Sequence, residues 1–323
     1  LENLLELADK EVVRTENEPA FNSLARMYRD IYEQNRDDFV TLYKRNILEG
    51  FAHFEEKGYL ELITSSATHC FLPTMENFPA VVEAQVRVAV ESHEKFLGKR
   101  PAGIWLPECG YYPGLEAILG KYGIGYFFLD AHGVLFADKK PKYGVYAPLL
   151  CDNSVAAFGR DPAASWTVWS SREGYPGDFA YREYYRDIGF DLPLDYIRPY
   201  LHEGDLRVFT GLKYYAITGN TEHKDPYNRF RALEKAREHA DNFVYMRCKQ
   251  IEKLAPLMDR PPLVVSPFDA ELFGHWWFEG PDWIEAMMDC LSDDKHEIEM
   301  VSPSDYLSLH PQNQVAAPSF SSW

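Results

Sequence analysis

Two carboxylates stand out by what surrounds them. Asp269 lies in the run Leu263-Val264-Val265-Ser266-Pro267-Phe268-Asp269-Ala270-Glu271-Leu272-Phe273-Gly274-His275-Trp276-Trp277-Phe278-Glu279-Gly280-Pro281. A β-branched strand breaks at Pro267, the acid follows, and aromatics with a histidine close the run. Glu108 sits in Gly103-Ile104-Trp105-Leu106-Pro107-Glu108-Cys109-Gly110-Tyr111-Tyr112, in the same order: strand, proline, acid, aromatics. Acids beside aromatics at a strand's end suit a sugar, whose apolar ring face stacks on an indole while its hydroxyls take the polar groups. Two such carboxylates could run a retaining displacement at an anomeric carbon. One attacks; the other protonates the leaving oxygen and then deprotonates the acceptor, with the two held about 5–5.5 Å apart. The plainer reading of each stretch is structural, a buried strand with an amphipathic core turn and a strand-end carboxylate capping a loop.

The acids need elements to hold them, and the surrounding periodicity predicts strands alternating with helices. Residues 1–15 and 18–57 read as helical, the second stretch with Phe21, Leu24, Met27, Ile31 and Tyr32 on one face. Strands are predicted at 59–64, 103–106, 125–129 (ending at Asp130), 154–158 (leading into Arg160), 263–265 and 297–301. A strand-like run covers 206–218, and a hairpin-like piece lies near 144–150. Helices are predicted at 79–95, 114–122, 228–254 and 281–291. Arg160 beside Asp161 reads as a local ion pair. The segment 166–201 is rich in Tyr, Asp, Gly and Pro and has little periodicity; at that length it reads as a lid, with Trp166, Trp169, Tyr175 and Tyr181 as its aromatics. Strands alternating with helices argue for an α/β fold built on a parallel sheet or barrel.

Composition narrows the partners. The 323 residues are 46% hydrophobic, ample for a core, and the 15% aromatic content is high, as expected where sugars stack. A net charge of −17 with no Lys/Arg-rich block argues against nucleic acid or an anionic membrane as partner, and a neutral polysaccharide is indifferent to that sign. The five cysteines are scattered without a CxxC, which suggests neither a disulfide framework nor a zinc ribbon and fits a reducing, cytoplasmic setting. No signal peptide and no membrane-spanning apolar run is apparent. The chain opens inside a helical pattern without an initiator methionine, so both ends look cut.

Trp-Leu-Pro-Glu-Cys-Gly-Tyr-Tyr (105–112) and Ser-Pro-Phe-Asp-Ala-Glu-Leu-Phe-Gly-His-Trp-Trp-Phe-Glu-Gly-Pro (266–281) resemble two signature regions of glycoside hydrolase family 57, closest to its 1,4-α-glucan branching enzymes. Leu60-Glu61-Leu62-Ile63-Thr64 with His69, Ala157 to Pro162, Gly174-Tyr175-Pro176-Gly177-Asp178 and Thr210 to Tyr215 are similar to further regions of that family. The resemblance covers nearly the whole chain. It implies one catalytic domain over 1–323, a (β/α)7 barrel incomplete at its N-terminus, with a helical excursion over 1–57 and the lid at about 166–201. A first strand carrying a histidine, and a helical domain following Trp323, are the expected missing pieces. It further implies Glu108 as nucleophile and Asp269 as acid/base. His69, Arg186, Gly211, Tyr175, Trp276 and Trp323 are the implied substrate-binding residues, on an α-1,4-glucan such as amylose or glycogen, with no metal and no cofactor. Trp276 and Trp277 are adjacent, so one of them is expected to face a site and the other the core.

The leading expectation is therefore a transglycosylase that cleaves an α-1,4 bond, holds the glucan on Glu108 and passes it to a 6-hydroxyl beneath a water-excluding lid. An α-amylase or 4-α-glucanotransferase of the same family would share both carboxylates; only the Gly-Tyr-Pro-Gly-Asp match favours branching. A metal-dependent deacetylase or mannosidase would need paired His/Asp ligands, and no HxD or HxxxH lies near the acids. An inactive glucan-binding fragment is the non-enzymatic alternative.

Overall fold

Tyr126-Phe127-Phe128-Leu129 has no polar face to offer water, so a strand made of it must be covered on both sides, which is what a parallel sheet provides. In the computed structural model, which describes residues 1–323 apart from 171, 202–203 and 293–297, that stretch is the centre of a six-stranded sheet. The strands are β1 (Thr64–Ser65), β2 (Gly103–Trp105), β3 (Tyr126–Leu129), β4 (Leu149–Leu150), β5 (Ala156–Gly159) and β6 (Gln314–Val315), in the order β1-β2-β3-β5-β4-β6. The pairs β1–β2, β2–β3 and β3–β5 are parallel; β4 runs antiparallel to β5 and parallel to β6.

The period of two along β3 sorts its side chains into two cores. Phe127 and Leu129 join Ile104, Leu106 and Ala157 on one face, under Val82, Val86 and Val90 of the helix Pro79–Leu97 and Leu115 and Leu119 of the helix Leu115–Lys121. Tyr126 turns to the other face with Ala156, Phe158 and Tyr306. The Pro79–Leu97 helix starts on a proline and ends on Gly98 at φ +75°, the left-handed cap that glycine tolerates best. Gly103 is required by packing: a Cβ there would lie 2.2 Å from the Tyr126 ring.

The sheet belongs to a unit made of Leu48–Ser165, Tyr245–Pro267 and Lys295–Trp323; a second unit comprises Leu1–Ile47, Trp166–Val244 and Phe268–Asp294. The second unit is helical and aromatic. Its helices Glu2–Arg14 and Pro19–Asp37 pack against irregular chain, and buried charges sit among its rings. Glu11, fully buried, takes two bonds of 2.7 Å from Arg14 and one of 2.8 Å from the Tyr214 hydroxyl.

The α/β reading holds, and four strand expectations change. Of the run expected at 59–64, only Thr64 enters a strand, β1. Residues 263–265 are extended but form no ladder: the Leu263 N–H reaches the Tyr146 carbonyl at 3.0 Å, and the Val265 carbonyl takes the Asp161 N–H at 2.8 Å. The 206–218 run contributes only isolated bridges, Arg182 with Ala216 and Tyr215 with Pro226. The reason is local competition, since the Thr210 and Gly211 N–H groups both go to the Asp187 carboxylate at 2.9 Å. Residues 298–301 form no strand, and 297, the start of that expected strand, lies outside the described residues. Among the described residues no helix is long and apolar enough to cross a membrane.

Candidate active site

Glu108 follows directly on β2. Pro107–Cys109 make a single 3-10 turn in which two successive non-glycine residues take the left-handed conformation, Glu108 at φ +59° and Cys109 at φ +50°. Each such residue costs about 1–3 kcal/mol and persists only where its surroundings hold it. Here the Cys109 N–H bonds the Leu106 carbonyl and the Gly110 N–H the Pro107 carbonyl, both at 2.9 Å, and the Pro107 and Cys109 side chains are buried. Tyr111 then pairs antiparallel with Ser321. The outcome is a carboxylate turned outward between two anchored neighbours.

Trp323 secures it twice. Its backbone N–H donates to the Glu108 carbonyl at 2.9 Å, and its indole Nε1–H donates to Glu108 Oε2 at 2.8 Å. Trp105 packs on the same indole with ring centres 5.0 Å apart, and the Arg160 guanidinium lies 4.7 Å from the indole centre. Because β2, β3 and β5 are parallel neighbours, Glu108, Asp130 and Arg160 all leave the sheet at one edge, the carboxyl ends of the strands. There Arg160 pairs with Asp130 Oδ2 at 3.3 Å, and Asp130 Oδ1 lies 3.0 Å from His132 Nδ1. This corrects the expected local pair. Asp161, buried, instead caps the Ala164 N–H at 2.6 Å and takes Gln250 Nε2 at 2.8 Å. His69 belongs to the same unit, exposed, at φ +52°.

Asp269, in the other unit, is half-buried and has a relaxed backbone, φ −68°. Its carbonyl takes the Leu272 N–H, and the chain after it folds back on itself: Trp277 N–H to Leu272 carbonyl and Gly274 N–H to Trp277 carbonyl, both at 2.8 Å. This turn divides the two tryptophans. Trp277 is 1% exposed among Tyr181, Phe273 and Trp283, whereas Trp276 is 51% exposed and stacks on Tyr184 with ring centres 4.5 Å apart. Behind them Glu279 is fully buried, accepting from the Tyr227 hydroxyl at 2.5 Å and the Arg182 N–H at 3.2 Å; burial raises its pKa above the usual carboxylate range.

The remaining expected residues lie in this second unit. Tyr175 is buried, its ring stacked 4.4 Å from His239 and its hydroxyl donating to Asn242 at 2.7 Å. The expected aromatic set over 166–201, of which residue 171 lies outside the described residues, splits by burial. Trp166 and Trp169 are exposed, but Tyr181 is a core residue, its hydroxyl 2.8 Å from His239 Nδ1. Arg186 and Gly211 flank one buried group the sequence reading missed. Asp187 accepts from Gly189 N–H, Thr210 N–H and Oγ1–H, and Gly211 N–H within 2.9 Å, with Lys213 Nζ at 3.2 Å. That hub holds Gly211 at φ +90°, where the Tyr32 hydroxyl would lie 3.2 Å from an added Cβ. Arg186 pairs with Asp191 at 3.1 Å and lies 4.3 Å from the Tyr215 ring centre. Asp187 caps the helical turn Ile188–Asp191, and an Asp two residues before a glycine was the available signal. Among the described residues, no cluster of three His, Cys, Asp or Glu side chains is arranged to hold a metal.

The model of Glycosyl hydrolase family 57 matches residues 1–318. A 1,4-alpha-glucan branching enzyme of Thermococcus kodakarensis is 29% identical over 333 residues, covering 88% of this chain and 45% of that protein. A probable 1,4-alpha-glucan branching enzyme of Mycobacterium tuberculosis is 31% identical over 264 residues, covering 79% and 44%. The chain thus spans about half the length of the curated relatives it matches. Among solved structures, the alpha-amylase AmyC from Thermotoga maritima matches with a TM-score of 0.95 at 44% identity, over 100% of this chain and 62% of that one. The family 57 branching enzyme from Pyrococcus horikoshii matches at 0.82 and 29%, over 100% and 58%. With the family model fitting nearly all of the chain and both signature regions inside the match, this chain belongs to glycosyl hydrolase family 57.

Proposed function

We propose that this chain carries the catalytic residues of a retaining 1,4-α-glucan branching enzyme. Glu108 attacks the anomeric carbon of an α-1,4-linked glucan while Asp269 protonates the departing 4-oxygen. The glucan then rests on Glu108 as a covalent ester. Asp269, now a base, takes the proton from an acceptor 6-hydroxyl, whose oxygen displaces Glu108 and forms the α-1,6 bond. The observation that carries this reading is the tie of Glu108 Oε2 to the Trp323 indole at 2.8 Å in a strained strand-end turn, a fixed geometry suited to a nucleophile. Exposed aromatics such as Trp276 fit the stacking face of glucose. His69, Arg186, Gly211 and Trp323 are assigned to glucan binding, and Tyr175 to the segment that keeps water from the ester.

One observation favours a second reading: the likeness to an alpha-amylase is stronger, at 44% identity, than the likeness to the branching enzymes. Hydrolysis uses the same two carboxylates with water as acceptor. Incubating the full-length protein with amylose, and following iodine staining together with reducing ends, separates the two. Loss of stain without new reducing ends is the expected result; loss of stain with a matching rise in reducing ends would replace branching by hydrolysis.

A further inference from the structure

We propose that Arg160 and Asp130 are positioning residues for the nucleophile, acting on Glu108 through the indole of Trp323. The inference rests on Glu108 being the nucleophile. The Arg160 guanidinium packs on the Trp323 ring, 4.7 Å from its centre, and that ring in turn donates to Glu108 Oε2 at 2.8 Å. The Arg160 side chain is 14% exposed, so it is not a solvated charge passing by. Its plane is set by Asp130 Oδ2 at 3.3 Å, while the Asp130 N–H is fixed by Ser321 Oγ at 3.1 Å, two residues before Trp323. A planar, delocalised guanidinium over an indole is an attractive contact that a lysine reproduces poorly. With Trp105 also packed on the ring, the indole has little freedom to turn, and its N–H stays aimed at Oε2. A cation against the ring also draws electron density from it and makes the N–H a better donor to a carboxylate. Arg160 thereby keeps the Glu108 carboxylate from rotating, so that its other oxygen meets the anomeric carbon in line.

The test is a double-mutant cycle on the full-length protein, read as the rate at which a 5-fluoro-α-maltosyl fluoride labels Glu108, located by peptide mass. Arg160→Lys is expected to slow labelling by on the order of tenfold, and Asp130→Asn, which leaves Arg160 itself in place, by a smaller factor with the same substrate affinity. In a Trp323→Phe background, which keeps a ring but has no N–H, Arg160→Lys should change the rate by less than about twofold, because the group it acts through is gone. An equal loss in both backgrounds would overturn the proposal, since Arg160 would then act directly or through stability. So would wild-type labelling rates in Arg160→Lys and Asp130→Asn. Labelling of a residue other than Glu108 in the unaltered protein is a separate outcome: it would remove the nucleophile assignment, and this inference with it.

Discussion

The two signature loops contain the same kinds of residue and are held in opposite ways. The loop after β2 is short, conformationally strained and fastened from afar: Glu108 and Cys109 both sit at positive φ, and the bonds that fix Glu108 come from Trp323, 215 residues away. The loop that starts at Asp269 is relaxed and folds back on its own backbone, and Trp277 and Glu279 anchor it in the core a few residues later, Glu279 through Tyr227 and Arg182. A carboxylate that must form and break a bond at one carbon benefits from the first arrangement, in which folding energy from elsewhere enforces one pose. On the roles proposed above, Asp269, which shuttles a proton, has the second arrangement. In that scheme the aromatics after Asp269 act chiefly as a foundation, and Trp276 alone of the tryptophan pair is available to a ligand.

The contrast can be broken most sharply at the acids themselves. Glu108→Gln, nearly isosteric, should lower the rate of amylose conversion by on the order of 10⁴-fold or more, with the thermal midpoint within a few degrees of the parent protein. Residual conversion near the parent rate would show that another group attacks. At the foundation the sign reverses. Trp277→Ala should cost about 3–5 kcal/mol of stability, read as a shift in the urea midpoint, whereas Trp276→Ala should shift it by no more than about 0.5 kcal/mol and instead weaken glucan binding. Equal midpoint shifts for the pair would mean that the turn does not sort them as described.

A smaller effect is expected at Tyr175. Tyr175→Phe keeps the stack on His239 and removes the bond to Asn242, so it should cost about 1 kcal/mol in the urea midpoint. If Tyr175 also shields the glycosyl ester, the share of reducing ends in the amylose assay should rise while total cleavage stays near the parent value. An equal fall in transfer and hydrolysis would assign it to binding or packing alone.

The smallest effect is a pH slope. Burial holds the His239 pKa below its ordinary value of 6.5, with Asp178 opposing, so the folded imidazole resists protonation more than the unfolded one. The unfolded chain takes up a proton that the folded chain refuses. The stability tied to His239 is therefore complete above about pH 6.5 and is lost as pH falls through that value, by at most about 1.4 kcal/mol per pH unit. His93, likewise buried and lowered, adds a slope of the same sign. Urea midpoints at pH 7.5 and 5.5 should diverge less in His239→Gln than in the parent; an unchanged divergence would remove His239 from the account.

What could be read in advance follows the range of the interactions. The central strand β3 was legible because four apolar residues in a row demand cover on both faces, and the long helix Arg229–Leu254 because its period is unbroken. The division of Trp276 from Trp277 was legible as an alternative between neighbours. The hub at Asp187 was missed because it abolishes a strand that the 206–218 pattern otherwise favours, and a side-chain acceptor leaves no mark in periodicity. The pairing of Arg160 with Asp130 was misread as a pair with Asp161 because adjacency in sequence was taken for adjacency in space, while parallel strands bring position 130 beside 160. Trp323 was the hardest: nothing near it names Glu108 as its partner.

That separation bears on how the protein acquires its competence. A contact between residues 215 positions apart cannot form until much of the intervening chain has found its place, and β6, which lies shortly before Trp323, is one of the two edge strands of the sheet. Long-range closures of this kind come late in folding and slow it. A refolding chain would regain its helices, and most of its far-ultraviolet dichroism, while Glu108 still lacks its indole partner. Recovery of activity should then lag behind recovery of structure, and the interval between them is the time the last fastening takes.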